Sequence, residues 1–148
     1  RGVMEICTVG FTRHTAEEFF GSLRSAGIER LVDVRLNNTS HLAGFAKRDD
    51  LAFFLRELCG AEYVHEPLLA PTPQLLSGYR KGGISWDEYE HAYLDLLAQR
   101  RVEEVLSRSL FDRRAVLLCS EHSPERCHRR LVVEYLDEHW GGVTAVHL

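Results

Sequence analysis

The sequence predicts an α/β fold: a single three-layer domain in which a mainly parallel sheet of about five strands is covered by helices on both faces. Short apolar runs of strand length alternate with helical patterns along the whole chain. Strands joined through helices pair in parallel by right-handed crossovers. The chain has 148 residues and no internal repeat or linker, so we expect one domain over residues 1–148.

The strands are predicted at short runs that are apolar throughout, because a parallel strand covered on both faces has no solvent side. These runs are residues 4–9, 31–34, 62–64, 115–119 and 143–148. Ligands of such sheets bind beyond the carboxyl ends of the strands. The segments that follow each strand are therefore where functional residues are expected.

Capping signals and apolar periodicity predict the helices between the strands. Thr15 and Glu18 form a capping box for a helix that ends at Gly27. A second helix is predicted at residues 49–59, with Gly60 after its end. The inward-facing residues of these helices are Phe19, Phe20 and Leu23, and Leu51, Phe54, Leu55 and Leu58.

Two further helices are predicted in the second half of the chain. Ser85 and Glu88 form another capping box, and the helical stretch that follows breaks near Arg101 before continuing towards Arg108. The last helix follows Ser123, with Pro124 at its first position. The inward-facing residues are Tyr89, Tyr93, Leu96 and Leu97, and Leu131, Val132, Tyr135 and Leu136.

Composition excludes several classes of protein. Hydrophobic residues make up 45% and charged residues 27% of the chain, as in ordered globular proteins and unlike disordered ones. No apolar run is long enough to span a bilayer, and residues 1–4 show no signal-peptide pattern, so we expect a cytoplasmic protein without a membrane partner. The four cysteines, Cys7, Cys59, Cys119 and Cys127, are too scattered for a secreted disulfide framework and are predicted to be free thiols.

Basic residues are concentrated after the predicted strands, although the formal net charge of the chain is −4. They are Arg13 and His14 after the first strand, Arg35, His41, Lys47 and Arg48 after the second, Arg80 and Lys81 after the third, and Arg126, His128, Arg129 and Arg130 after the fourth. This basic rim favours an anionic small molecule or nucleotide as ligand, whereas the net charge argues against bulk attraction to nucleic acid. The alternative is a set of solvated charges paired with Asp49, Asp50 and Asp87.

The segment from Cys119 to Arg129 is the most informative part of the chain, because a buried strand ends there and a helix begins. The open backbone N–H groups of a helix N-terminus form an anion site. Glu121 could serve there as a general base, bind a ribose hydroxyl, or satisfy those N–H groups.

Thiol and metal chemistry are alternatives at the same segment. Cys119 near a helix N-terminus and arginines could be a nucleophile, but Glu125 stands where a phosphatase-type loop of Cys, five residues and Arg needs its arginine, and Arg126 comes one residue later. A buried strand-end thiol is the other interpretation. Zinc could be held by Cys119, Glu121, Cys127 and His128, but there is no CxxC pair and Cys127 shares a helix face with Leu131, so no metal is predicted.

Asp33 and Arg35 end the second predicted strand. A carboxylate in an apolar run is costly to bury without a partner. Either Asp33 forms an internal ion pair with Arg35 or Arg129, or it is a catalytic or ligand-binding acid that faces Glu121 across the sheet edge.

Two weaker signals concern the surroundings of this edge. Gly10 after the first strand is typical of a position that a ligand approaches closely. The connection at residues 66–84 is long enough to act as a lid, and Tyr79, Trp86 and Tyr89 could either stack on a base or pack over the sheet.

The chain resembles the family of domain of unknown function 488. The resemblance rests on Thr8-Val9-Gly10, Leu31-Val32-Asp33-Val34-Arg35, Gly44-Phe45, Tyr63-Val64-His65, Cys119-x-Glu121 and Cys127-His128-Arg129. It implies a compact α/β domain, and it implies Gly10, Asp33, Arg35, Cys119, Glu121, Cys127, His128 and Arg129 as candidate positions without supplying a reaction. Phe11 stands where many relatives have a histidine, so a role of that histidine would be lost here or taken by His14.

The leading hypothesis is an enzyme that acts on a phosphate-bearing small molecule, nucleotide or nucleic-acid substrate by carboxylate acid/base chemistry. Its residues are Asp33 and Glu121 as acid and base, Arg35, Arg126 and Arg129 as anion ligands, and His128 as the group that orients a carboxylate or the ligand. The alternatives are a non-catalytic nucleotide- or anion-binding module, and a thiol or sulfur-transfer protein that uses Cys119. The sequence predicts neither a cofactor nor an oligomeric state.

Overall fold

The computed structural model describes residues 3–12, 14–36, 44–119 and 127–148. One sheet of five parallel strands runs through the molecule, in the order β3-β2-β4-β1-β5. The strands are β1 (Met4–Gly10), β2 (Arg30–Asp33), β3 (Glu62–His65), β4 (Ala115–Cys119) and β5 (Val143–His147). Each lies within about two residues of its prediction, so the predicted parallel α/β sheet is confirmed.

Helices connect every pair of consecutive strands. They are α1 (Ala16–Ser25), α2 (Arg48–Phe54), α3 (Pro73–Arg80), α4 (Trp86–Gln99), α5 (Val102–Val105) and α6 (His128–Trp140). A π-helical turn, Leu55–Cys59, extends α2, and short 3₁₀ turns occur at Gly44–Ala46, Pro67–Leu69 and Arg108–Phe111. None of the described helices is long and apolar enough to cross a membrane.

The alternation of side chains along β4 separates two cores. Val116 and Leu118 belong to the core under α1 and α2, whereas Leu117 and Cys119 belong to the core under α3 to α6. All five residues of β4 are buried, as expected of a central strand covered on both faces. The predicted three layers are therefore present.

The capping signals of α1 and α4 are confirmed. Thr15 and Glu18 exchange side-chain and backbone hydrogen bonds at the start of α1, and Ser85 and Glu88 do so at α4. The predicted break falls at Arg101, whose φ of 54° is left-handed and ends the helical path between α4 and α5.

The prediction for the second helix is wrong at one inward residue. Leu51 and Leu55 are fully buried, but Leu58 is 45% exposed. The π-helical turn after Phe54 turns the chain by a smaller angle per residue than an α-helix, so Leu58 no longer shares the face of Leu51.

The connection at residues 66–84 contains a helix that the sequence analysis missed. Thr72 caps α3 through its hydroxyl, and Pro73 occupies the first turn, which is the signal that could have revealed it. Tyr79 and Trp86 pack edge to face, and Trp86 stacks on the buried Tyr89. These rings pack over the sheet, in agreement with the packing alternative.

The last helix begins later than predicted. Cys127 is extended (φ −138°, ψ 140°) and precedes the first residue of α6, His128. Ser123 and Pro124, where the sequence predicts the start, lie outside the described residues. The inward face of α6 is confirmed, since Leu131, Val132, Tyr135 and Leu136 are buried.

Candidate functional site

The candidate site lies at the carboxyl ends of β1 and β4, where the direction of winding reverses. The chain leaves β1 through α1 on one face of the sheet to reach β2, and it leaves β4 through α6 on the other face to reach β5. Gly10 and Cys119 are paired in register at these ends. A crevice at such a switch point is where ligands bind in open α/β sheets.

Asp33 ends β2 beside this crevice, and its carboxylate is completely buried. One oxygen, Oδ1, accepts hydrogen bonds from the backbone N and Nε of Arg35 at 3.1 and 2.8 Å. The other, Oδ2, accepts from Arg35 Nη2 at 2.8 Å and from the Tyr63 hydroxyl at 2.6 Å. The partner of Asp33 is therefore Arg35, the first of the two arginines named by the ion-pair interpretation.

This arrangement uses both oxygens of the carboxylate fully. Each oxygen accepts two hydrogen bonds, which is the capacity of its lone pairs. Asp33 thus anchors Arg35, whose guanidinium carbon lies 5.3 Å from the centre of the Phe11 ring. The described residues give Nη1 of Arg35 no hydrogen-bond partner, whereas Nε and Nη2 both donate to Asp33.

Tyr63 is a site residue that the sequence analysis did not assign. The register pairs Leu31 with Tyr63 and Asp33 with His65, so Tyr63 lies diagonally from Asp33 across neighbouring strands. The signal was present in the period of two along β2 and β3. Recognising it required knowledge that these strands are neighbours in this register.

His128 lies at the start of α6 and is held in the neutral form. Its Nε2 lies 2.9 Å from the carbonyl oxygen of Val34. Since a carbonyl can only accept, Nε2 carries the proton and Nδ1 carries the lone pair. The pKa of His128 is lowered from 6.5 to about 4, mainly by burial and in part by the positive charges of Arg129 and Arg80, against the opposing effects of the Val34 carbonyl and Asp33.

Arg129 is completely buried, although its side chain is long and charged. Its Nη1 donates to Cys119 Sγ at 3.5 Å. A guanidinium beside a sulfur atom stabilises negative charge on that sulfur. Arg129 thus links the first turn of α6 to the end of β4.

The two cysteines of the site are bonded to each other. Cys119 Sγ and Cys127 Sγ lie 2.00 Å apart and form a disulfide, so the prediction that all four cysteines are free thiols is wrong for these two. Cys7 and Cys59 are free, as predicted. The sequence gives no sign of this pairing, because only the tertiary structure brings the end of β4 next to the first residues of α6.

The remaining residues of the basic rim are dispersed. Arg48 is exposed and pairs with Asp49 at 3.2 Å, and Arg130 pairs with Glu134 and Glu90, so the alternative of solvated, paired charges describes these two. Arg80 and Lys81 are exposed. Glu121, Arg126, Arg13 and His41 lie outside the described residues, including the proposed approach of Glu121 to Asp33.

Residues 15–136 match the family described as domain of unknown function DUF488. The chain belongs to the DUF488 family. The match includes β2, β4 and most of α6, and hence Asp33, Arg35 and the Cys119–Cys127 pair, whereas Gly10 precedes it. No curated protein and no solved structure matches the chain. The DUF488 assignment establishes the family and leaves the chemistry to be argued from the site.

The anchoring role of Asp33 in this DUF488 chain predicts a large effect on stability. Asp33→Asn leaves the buried guanidinium of Arg35 without its counter-ion, and we expect the free energy of unfolding to fall by about 3–5 kcal/mol. The matched control is Glu62→Gln on the adjacent strand. Glu62 is half exposed and pairs with Arg30 at 2.7 Å, so its loss should change stability by about 1 kcal/mol or less. Urea unfolding of both variants measures this difference, and equal effects would contradict the anchoring role.

The neutral state of His128 predicts a pH dependence of stability. The folded-state pKa of about 4 lies below the ordinary value of 6.5. Between these two values, His128 is protonated in the unfolded chain and neutral in the folded chain. This contribution to stability is present above about pH 6.5 and is lost as the pH falls towards 4, by about 3 kcal/mol in total. Between pH 7 and pH 4.5 the wild type should lose about 2–3 kcal/mol more than His128→Gln.

Urea unfolding at several pH values tests this expectation. The control is His91→Gln, because His91 is exposed on α4. Its loss of stability with pH should parallel that of the wild type. A parallel curve for His128→Gln as well would show that His128 is not held neutral by the fold.

Proposed function

We propose that this DUF488 domain is an enzyme that binds a phosphate-bearing small molecule or nucleotide in the crevice at the carboxyl ends of β1 and β4 and acts on it there. The observation that carries the proposal is the burial of two arginines at this edge, Arg35 at 5% and Arg129 at 0% exposure. Burying a guanidinium is expensive unless it is paired and hydrogen-bonded, as Arg35 is with Asp33. In a chain of net charge −4, two such cations beside a switch-point crevice favour an anionic ligand.

The contacts of Arg35 support a binding role for its outer edge. Asp33 occupies Nε and Nη2 and holds the guanidinium plane in one orientation. Preorganised arginines recognise phosphate oxygens well because the donors are fixed before the ligand arrives. In this proposal Asp33 positions Arg35, in place of the acid/base role that the sequence suggests.

Acid/base work then falls to a group other than Asp33. Glu121 follows β4 directly in the sequence and is our candidate general base. His128 is neutral, with its Nε2 proton engaged by the Val34 carbonyl, so it suits the orienting role. The ligand is expected to lie between these residues and Arg35, next to Gly10, where the absence of a side chain allows close approach.

Binding and turnover can be measured on the same protein. Titration calorimetry with inorganic phosphate, pyrophosphate and nucleoside monophosphates, diphosphates and triphosphates should reveal binding that weakens about tenfold or more in Arg35→Lys and Arg129→Met. Arg114→Met is the matched control, because Arg114 precedes β4 at the opposite edge of the sheet and pairs with Glu5. Circular dichroism of each variant establishes that it is folded.

Phosphorus NMR of the wild type with the ligand that binds then follows turnover. A new phosphorus signal that disappears in Glu121→Gln, with binding retained, is the expected result. Binding without turnover would identify the non-catalytic module instead. Equal binding by the wild type and both site variants would place the anion elsewhere and overturn the proposal.

Thiol chemistry is a second candidate, favoured by the pairing of Cys119 with Cys127 and by Arg129 Nη1 at 3.5 Å from Cys119 Sγ. In this case a dithiol first reduces the Cys119–Cys127 bond, and the Cys119 thiolate then attacks one sulfur of a substrate disulfide, which releases the other sulfur as a thiolate. The Cys127 thiolate attacks Cys119 Sγ in the mixed disulfide, which releases the second substrate thiolate and reforms the Cys119–Cys127 bond. The guanidinium stabilises the attacking thiolate.

Alkylation kinetics test the thiol candidate. After reduction, Cys119 should react with iodoacetamide faster than the free Cys59, as followed by mass spectrometry of the digested protein. Cys119 should slow down in Arg129→Met, whereas Cys59 should not. Slower reaction of Cys119 than of Cys59 in the folded, metal-free protein would argue against a nucleophilic thiol.

A further inference from the structure

Three potential metal ligands meet at the junction of β4 and α6. The Sγ atoms of Cys119 and Cys127 and a ring nitrogen of His128 all lie within 4.8 Å of one another, and all three residues are buried. Spacing along the sequence argued against a metal here, because the cysteines do not form a CxxC pair. The fold brings them together because the end of β4 lies next to the first residue of α6.

The hydrogen bonds of His128 fit the role of a ligand. Histidines that bind metals commonly donate the proton of the second ring nitrogen to a carbonyl, which fixes the tautomer and the ring orientation. His128 does so through Nε2 to Val34, which leaves the Nδ1 lone pair for a metal. Its ring also packs edge to face on the buried Tyr93, with 5.3 Å between the ring centres. The imidazole is thus neutral and fixed before any metal arrives.

The surroundings of the sulfur atoms fit as well. Arg129 Nη1 at 3.5 Å from Cys119 Sγ is a donor that stabilises a metal-bound thiolate, as second-layer donors do in metalloproteins. Two buried thiolates without a cation would repel each other. A divalent cation between them neutralises both charges at once.

We propose that Cys119, Cys127 and His128 form a binding site for a divalent metal of the zinc class in the dithiol state of the protein. Two thiolates and one imidazole are soft and borderline ligands, which select zinc over magnesium or calcium. Three protein ligands leave a fourth tetrahedral position, the arrangement of zinc sites that bind a water or substrate atom. The site lies at the carboxyl end of β4.

The disulfide and the metal exclude each other. A dithiol or phosphine reductant transfers two electrons to the Cys119–Cys127 bond, the S–S bond breaks, and each sulfur takes up one proton. Zinc then displaces both thiol protons and binds the two sulfurs. Oxidation of the metal-bound thiolates by a disulfide releases the zinc and reforms the S–S bond. The metal site is therefore present only in the reduced protein.

This inference does not depend on anion binding. The phosphate titrations can be run on the disulfide form, in which the metal site does not exist, whereas metal binding is measured without any phosphate ligand. Failure of one result leaves the other intact.

Cobalt(II) is the probe for the experiment, because thiolate-to-cobalt charge transfer gives a near-ultraviolet absorption band that reports sulfur ligation. The full chain is reduced with a phosphine, freed of metal with a chelator and titrated anaerobically with cobalt and then with zinc. We expect the band to saturate at one cobalt per chain and to disappear when zinc is added. The disulfide form should give no band.

Variants and a protection assay assign the ligands. Cys119→Ser and Cys127→Ser should lose the band, and His128→Gln should weaken zinc binding by roughly tenfold or more. Cys59→Ser is the matched control and should bind like the wild type, since Cys59 is a free thiol of α2's π-helical extension. In the wild type, zinc should protect Cys119 and Cys127 from alkylation but leave Cys59 reactive, a result that does not depend on how the variants fold.

Two outcomes would overturn the proposal. One is a reduced wild type that shows no cobalt–thiolate band and no zinc protection. The other is a band that persists in the folded Cys119→Ser or Cys127→Ser protein, which would assign the metal to other ligands.

Discussion

The burial of the Asp33 carboxylate is the constraint around which the candidate site is organised. Removing a carboxylate from water at the end of a central strand is tolerable only if both oxygens are fully hydrogen-bonded. Arg35, two residues beyond the end of β2, and Tyr63 on the neighbouring β3 meet that requirement, at distances from 2.6 to 3.1 Å. The same bonds fix where Arg35 lies, and Arg35 in turn covers the ring of Phe11 at the end of β1. The Asp33 carboxylate, which would destabilise the core without partners, thereby fixes the position of Arg35.

On the opposite face of the sheet, the protonation state of His128 depends on its burial and on the charge of Arg129. Arg129 brings a buried positive charge to the first turn of α6, and the adjacent His128 remains neutral because burial and this positive charge both disfavour its protonation. A proton on His128 would place two cations side by side in the core. The neutral imidazole can instead bind the Val34 carbonyl through one nitrogen and keep a lone pair on the other. Our two proposals use these features of the junction of β4 and α6, one for an anion and the other, in the dithiol state, for a metal.

The order of the strands brings both groups of residues to the same edge of the sheet. β4 lies between β2 and β1, although it is the fourth strand along the chain. Its neighbours therefore come from the first third of the sequence, and Leu118 accepts a hydrogen bond from Val34 while Cys119 is in register with Gly10. Residues more than eighty positions apart thus share one edge, as parallel sheets with crossovers allow. The crevice belongs to the fold, and its residues come from three separate segments of the chain.

The sequence by itself determined the strands, the capping boxes of α1 and α4 and most of the buried faces, because these depend on local hydrogen bonding and on the period of apolar residues. The capping boxes at Thr15 and Ser85, the break at Arg101 and the apolar run of β4 are all local patterns. Asp33 and Arg35 were recognisable from the sequence because a carboxylate and an arginine stand in an otherwise apolar run. Only the tertiary structure decided that Tyr63 completes the Asp33 site, that Cys119 bonds to Cys127, and that Leu58 turns outward. Each of these depends on the order of the strands, on the proximity of the end of β4 to the start of α6, or on the phase of a π-helical turn. None of these is encoded in the spacing of residues along the chain.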